Sequence, residues 1–138
     1  MKAKIKQVEG LTFIARGETN HWIAIDGPKK FQGSEAASRP MELLLISLAS
    51  CTGSDVASIL NKKRVKISSM EIDVNADRRK EHPKVFTKIK LEFKFHGSNI
   101  KEKDIKRALN LSKEKYCPVT AMLKKSTDIK YDYEIIED

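Results

Sequence analysis

Two cysteines, Cys51 and Cys117, have the strongest claim to chemistry in this 138-residue chain. A thiolate attacks the O–O bond of a peroxide and becomes a sulfenic acid, and a second thiol condenses with that acid to a disulfide and water. Two thiols suffice for this, with no metal and no cofactor. The same residues also read as plain core filling, because unpaired cysteine is among the most buried residue types. No spacing rule brings the two together, so both readings stay open on the residues alone. Their separation lacks metal-ligand spacing, and two cysteines are too few for a secreted disulfide scaffold. A peroxide-attacking thiol also needs help: with an ordinary pKa near 8.5 it is only a few per cent ionised at neutral pH, so a nearby cation must hold the thiolate. Asp55 lies four positions after Cys51, on the same helical face. A carboxylate there raises the thiol pKa, which points to a partnered or capping role rather than a catalytic one. Thr52 and Ser54 offer hydroxyl donors to a thiolate, or simply small side chains between helices. His21, His82 and His96 have no mutual spacing suited to a metal and read as surface residues.

The element that must position Cys51 is the stretch Arg39–Arg64, RPMELLLISLASCTGSDVASILNKKR, which reads as one long helix. Pro40 suits a first helical turn, and Lys62, Lys63 and Arg64 suit a C-terminus. From Leu43 to Ser54 no residue is charged, and apolar or small residues fall on every face, the pattern of a helix surrounded by protein. Its Ser, Thr and Gly content and the shortness of the apolar run argue against a membrane span.

Before it, residues 2–9 and 11–15 read as a hairpin, and 21–25 as a third strand closed by Asp26-Gly27-Pro28. Residues 29–38 form a polar loop. After it, the two-residue spacing of Met70, Ile72 and Val74 in 65–76 and the alternation through Ile89, Leu91, Phe93 and Phe95 in 85–95 predict a long hairpin with one lysine-rich wet face. Asn99 with Glu102 resembles a capping box, and Ile105, Ala108, Leu109 and Ser112 line one face of a second helix that ends near Tyr116. Cys117 then stands at a helix end, stopped by Pro118. Residues 119–123 suit a short helical turn and 129–136 a final strand. Met41, Trp22, Phe31 and Met122 read as core or pocket-wall residues.

The order of elements predicts a single α+β domain over residues 1–138, with antiparallel sheets around a long buried central helix rather than a βαβ winding. One sheet covers only one side of such a helix. A second copy of the chain is expected to cover the other, giving an intertwined homodimer. The net charge of +8, with 27 Lys and Arg against 19 Asp and Glu, raises nucleic acid as a partner. The basic residues are dispersed and not interleaved with aromatics, so no specific nucleic-acid binding is expected. The opening residues, MKAKIKQVEG, lack the apolar run of a signal peptide, and a cytoplasmic protein is the expectation.

Three segments carry a resemblance. RPMELLLISLASCTGSDVASIL, then Glu81-His82-Pro83-Lys84-Val85-Phe86-Thr87-Lys88-Ile89, then Glu114-Lys115-Tyr116-Cys117-Pro118-Val119, in that order, resemble the OsmC/Ohr family of osmotically inducible protein C and organic hydroperoxide resistance proteins. The resemblance spans most of the chain. It implies an intertwined α+β homodimer that reduces organic hydroperoxides, with Cys51 as the attacking residue, Cys117 as the resolving one, and an external dithiol to reset them. It also implies an arginine coupled to a glutamate beside the thiol. Arg16 and Arg39 are the candidates for the cation. The family's reductases place the glutamate directly after the proline, where this chain has Met41. Glu42 follows one position later, rotated by about 100°, and reads equally as a first-turn carboxylate on the helix dipole. That departure suggests a divergent branch. A binding or redox-sensing module for small apolar ligands is the other function compatible with this fold.

Overall fold

The structure is a computed structural model that describes all residues from Met1 to Asp138. The chain divides into two compact units, Met1–Ile46 and Ser47–Asp138. In the first, strands β1 (Ala3–Glu9), β2 (Thr12–Gly17) and β3 (Trp22–Ile25) form an antiparallel meander in that order. Ile14 pairs with Lys6 on one side and with Ala24 on the other.

The loop after β3 is wound around Asp26, a carboxylate only 1% exposed. Its oxygens accept the N–H groups of Gly27 (2.7 Å), Ala36 (3.1 Å) and Ser34 (3.3 Å) and the Thr12 hydroxyl (3.2 Å). Gly33 closes the loop tightly, since a Cβ there would lie 2.0 Å from the Gly27 carbonyl oxygen. A buried charge is tolerated when fixed donors replace its water, as they do here. The Gly27 N–H holds the Asp26 carboxyl below its usual range; burial pushes the other way, and the Ala36, Ser34 and Thr12 bonds reinforce the lowering.

Helix α1 (Pro40–Lys62) follows. Glu42 reaches back to accept the Arg39 N–H at 2.9 Å, half of a capping box that satisfies an otherwise orphaned donor. At the far end Arg64 turns left-handed (φ 58°) and the Val65 N–H returns to the Leu60 carbonyl, a Schellman-type stop. By length and hydropathy alone α1 is able to cross a membrane. The expectation that it is too short for that is therefore corrected: what identifies it as a core helix is packing. Leu48, Thr52, Val56 and Leu60 are buried along one face. Away from that face Ile46 is 53% exposed.

In the second unit β4 (Ser69–Arg78) and β5 (Phe86–His96) form the expected antiparallel hairpin, with Ile72 opposite Phe93 and Val74 opposite Leu91. Ile89, Leu91, Phe93 and Phe95 are buried, while Lys90 and Lys94 on the other face pair with Glu92 and Asp73. Gly53 lets α1 close onto this sheet, since a Cβ there would meet Ile72 Cδ1 at 2.7 Å. The last strand, β6 (Asp128–Ile136), lies on the other edge of β5 and runs parallel to it. The sheet is therefore mixed, not antiparallel throughout. The reason is the helical connection between β5 and β6, which carries the chain back to its starting end as a crossover must.

That connection consists of α2 (Glu102–Leu111), a π-helical turn over Ser112–Tyr116, and α3 (Pro118–Leu123). The predicted face of α2 holds: Ile105, Ala108, Leu109 and Ser112 are all buried. Its predicted cap does not. Asn99 is left-handed (φ 60°) and its N–H is given to Glu137, so the helix starts two residues later behind Lys101, with no side-chain cap. Trp22, Phe31 and Met122, expected inside, are exposed in the single chain.

Candidate functional site

Cys51 and Cys117 both lie in the second unit, and the fold brings them together. Cys51 projects from the middle of α1, half-buried. Cys117 stands at the start of α3 and is 2% exposed. The local sequence explains the latter position. Pro118 occupies the first helical turn, where its missing N–H leaves nothing unpaired, and the Cys117 sulfur takes the capping role, accepting the Thr120 N–H at 3.3 Å. Upstream, the π turn returns the Cys117 N–H to the Ser112 carbonyl at 2.9 Å. Such one-turn π bulges recur at functional sites.

The two sulfurs and a carboxylate oxygen of Asp55 all lie within 4.8 Å of one another. Around the Cys117 sulfur the remaining polar groups form a closed network. Thr52 Oγ1 donates to Cys117 Sγ at 3.5 Å and lies 2.9 Å from the Leu48 carbonyl. Tyr131 Oη is 3.1 Å from Thr52 Oγ1 and 2.7 Å from Thr120 Oγ1. Tyr131 is held in turn against the Phe93 ring, with centroids 5.7 Å apart. Asp55 accepts the Ser112 hydroxyl at 3.0 Å. It is thus partnered, as its charge beside a thiol requires.

The pair is electrostatically asymmetric. Burial raises the pKa of both thiols first. At Cys117 that effect is outweighed by hydrogen bonds from Thr120, Thr52 and Cys51, and the thiol falls below its ordinary range. At Cys51 the hydrogen bond to Cys117 and the negative charges of Cys117 and Asp55 add to burial, against one bond from the Val119 N–H, and the thiol rises. The first thiolate to form therefore sits on Cys117, with the proton kept on Cys51. Burial likewise pushes the Tyr131 phenol up, against its bonds to Thr120 and Thr52.

Arg16, Arg39 and Glu42 belong to the first unit. The Arg16 guanidinium lies over the Trp22 ring, 5.0 Å from its centroid. Arg39 pairs with Glu35 at 3.2 Å, and Glu42 holds the Arg39 N–H as described. The residues that sequence reasoning missed are Ser112, Thr120 and Tyr131. For Thr120 a signal existed, because Cys-Pro-x-Thr has a capping residue, a proline at the first helical turn and a small polar residue three positions on. Nothing in the sequence marked Tyr131, whose role arises from a parallel strand pairing.

The fold is shared with known proteins. Residues 32–132 match the family model described as OsmC-like protein. The chain is 39% identical over 136 residues to Protein YhfA of Escherichia coli K12, covering 99% of this chain and 98% of that one. A crystal structure of a protein from Aquifex aeolicus superposes with a TM-score of 0.88 at 34% identity, over 99% of this chain and 96% of that one. An organic hydroperoxide resistance protein OsmC from Legionella pneumophila superposes with a TM-score of 0.73 at 15% identity, over 96% of this chain and 95% of that one, a likeness of fold alone. With a helix-borne cysteine facing a cysteine within the crossover connection, and a family match that spans both, this chain is a member of the OsmC-like family.

Proposed function

We propose that this protein is a cysteine-based peroxidase that reduces organic hydroperoxides, with Cys51 attacking and Cys117 resolving. The observation that carries this reading is the approach of the two sulfurs to within 4.8 Å, which leaves a closure of less than about 3 Å to a disulfide. The titration asymmetry supplies the base. The Cys117 thiolate takes the proton of the Cys51 thiol as the Cys51 sulfur attacks the distal peroxide oxygen. The O–O bond breaks, Cys51 becomes a sulfenic acid, and the alkoxide leaves with the proton now carried by Cys117. Restored as a thiolate, Cys117 attacks the sulfenic sulfur, the S–O bond breaks, and the departing hydroxide takes a proton from solvent as water. An external dithiol returns both thiols. The peroxide loses one oxygen to water and leaves as an alcohol.

Arg16 or Arg39 is proposed as the cation that orients the peroxide, with Glu42 coupled to it. The exposed Ile46 side chain on α1 supports a homodimer whose second copy covers it. Chemistry of this kind suits the reducing cytoplasm, where a dithiol is at hand. The shared fold with the organic hydroperoxide resistance protein from Legionella pneumophila is consistent with it. The test is thiol titration before and after one equivalent of cumene hydroperoxide. Two thiols per chain should disappear rapidly and return with dithiothreitol, and Cys51→Ser should abolish turnover. Full turnover by Cys51→Ser overturns the assignment. Slow, substoichiometric thiol loss favours a ligand-binding or redox-sensing module instead.

A further inference from the structure

We infer that Cys51, Asp55 and Cys117 form a binding site for a thiophilic divalent cation such as Zn2+. The cluster combines two sulfurs and one carboxylate oxygen, all within 4.8 Å of one another. Tetrahedral zinc takes Zn–S bonds of about 2.3 Å and Zn–O bonds of about 2.0 Å, which places its ligand atoms roughly 3.5–3.8 Å apart. The observed spacing thus needs each pair to draw in by at most about 1.3 Å. Cys51 and Asp55 stand at positions i and i+4 of α1, so one rigid helix face presents two of the ligands.

The outer shell is also in place. Ser112 Oγ donates to Asp55 Oδ2 at 3.0 Å, and Thr52 Oγ1 and the Thr120 N–H both donate to Cys117 Sγ. Such groups orient the atoms that bind a metal and favour their ionised forms. Two sulfurs select a soft or borderline metal over Mg2+ or Ca2+, which prefer all-oxygen sites. Three anionic ligands around a divalent ion leave one net negative charge. Lys62 and Arg107, which line a cavity of about 330 Å3 together with Asp55, supply positive charge on the side of that carboxylate.

Metal binding does not rest on the peroxidase reading. It makes the thiols unavailable while the ion is bound, because the electron pairs that would attack a peroxide or form the disulfide are held by the metal. The experiment is an anaerobic titration of the fully reduced protein with Cd2+ alone, read by the thiolate-to-cadmium charge-transfer absorbance, followed by displacement with Zn2+. No peroxide is present, so failure here is separate from failure of the peroxidase test. One equivalent should saturate the band and Zn2+ should remove it. Asp55→Ala should weaken Cd2+ at least about tenfold, and Ser112→Ala by about tenfold, the range for loss of an outer-shell partner. Asp55→Asn, which keeps the side-chain volume, repeats the first arm should alanine perturb folding. No band, a band that needs many equivalents, or unchanged affinity in both Asp55 variants overturns the site.

Discussion

Each unit of this protein buries one acidic group in a hydrogen-bonded knot, and the two knots are built differently. Asp26 is held by three backbone N–H groups and one hydroxyl from the loop it organises. Cys117 has one backbone N–H, and its other donors are side-chain groups: the hydroxyls of Thr120 and Thr52, both bonded to Tyr131, and the thiol of Cys51. Backbone donors are fixed and give up nothing. Hydroxyls and thiols rotate, and each both gives and takes a proton. The first knot is thus suited to hold a conformation and the second to pass a proton while an anion stays stabilised. Burial of an acidic group identifies neither; the kind of donor does.

The largest effect that separates them is expected from Asp26→Ala. Without the carboxylate the Gly27, Ser34 and Ala36 amides lose their partner, and hydrogen exchange should show lost protection across residues 12–38 while both thiols titrate as before. The same knot has a pH signature. Its folded carboxyl titrates below the unfolded value of about 3.9, so its stabilisation is fully present above that value and is lost as pH falls through the folded one. Acid denaturation followed by residue should therefore loosen this unit below about pH 4. An Asp26→Ala protein with shifted thiols would break the division of labour.

Thr52→Val comes next. It removes a buried hydroxyl that serves Cys117 and Tyr131, should cost about 1–3 kcal/mol in denaturant unfolding, and should move the first thiolate titration, followed by ultraviolet absorbance, to higher pH, because a donor to the thiolate is gone. Tyr131→Phe is milder, about 0.5–1.5 kcal/mol, since Thr52 retains the Leu48 carbonyl and its bond to Cys117. The smallest change is expected for Asp55→Asn. Its charge is the last of the influences that raise Cys51, so neutralising it should bring the Cys51 titration down slightly. An upward movement would mean that Asp55 acts on the thiol through something other than its charge.

Much of this architecture could be read from the chain itself. The two-residue rhythm of Ile89, Leu91, Phe93 and Phe95 fixes both the strand and its buried face, because a pleated strand turns alternate side chains to one side. The face of α2 follows equally from helical periodicity. The direction of β6 does not, since periodicity says which residues share a face and nothing about which neighbour a strand adopts. Asn99 misled because a capping pattern competes with a left-handed turn, and the Glu137 carboxylate that decides the matter lies at the other end of the sequence. The site was legible only in its two sulfurs. Ser112, Thr120 and Tyr131 join it through long-range geometry, and the acidity order of the thiols depends on donors that no local pattern assigns.

The π turn between α2 and α3 makes one further demand on the chain. An α-helix would aim positions 112 and 117 about 140° apart, yet here Ser112 meets Asp55 while Cys117 meets Thr52, both groups of α1. A single surplus residue in that turn reconciles the two, so Lys113–Tyr116 should tolerate changes of side chain far better than a change of length. Deleting Lys113 or Glu114 would restore ordinary helical winding and swing the sulfur away from its counterpart, silencing the site without touching either thiol or the groups bonded to them.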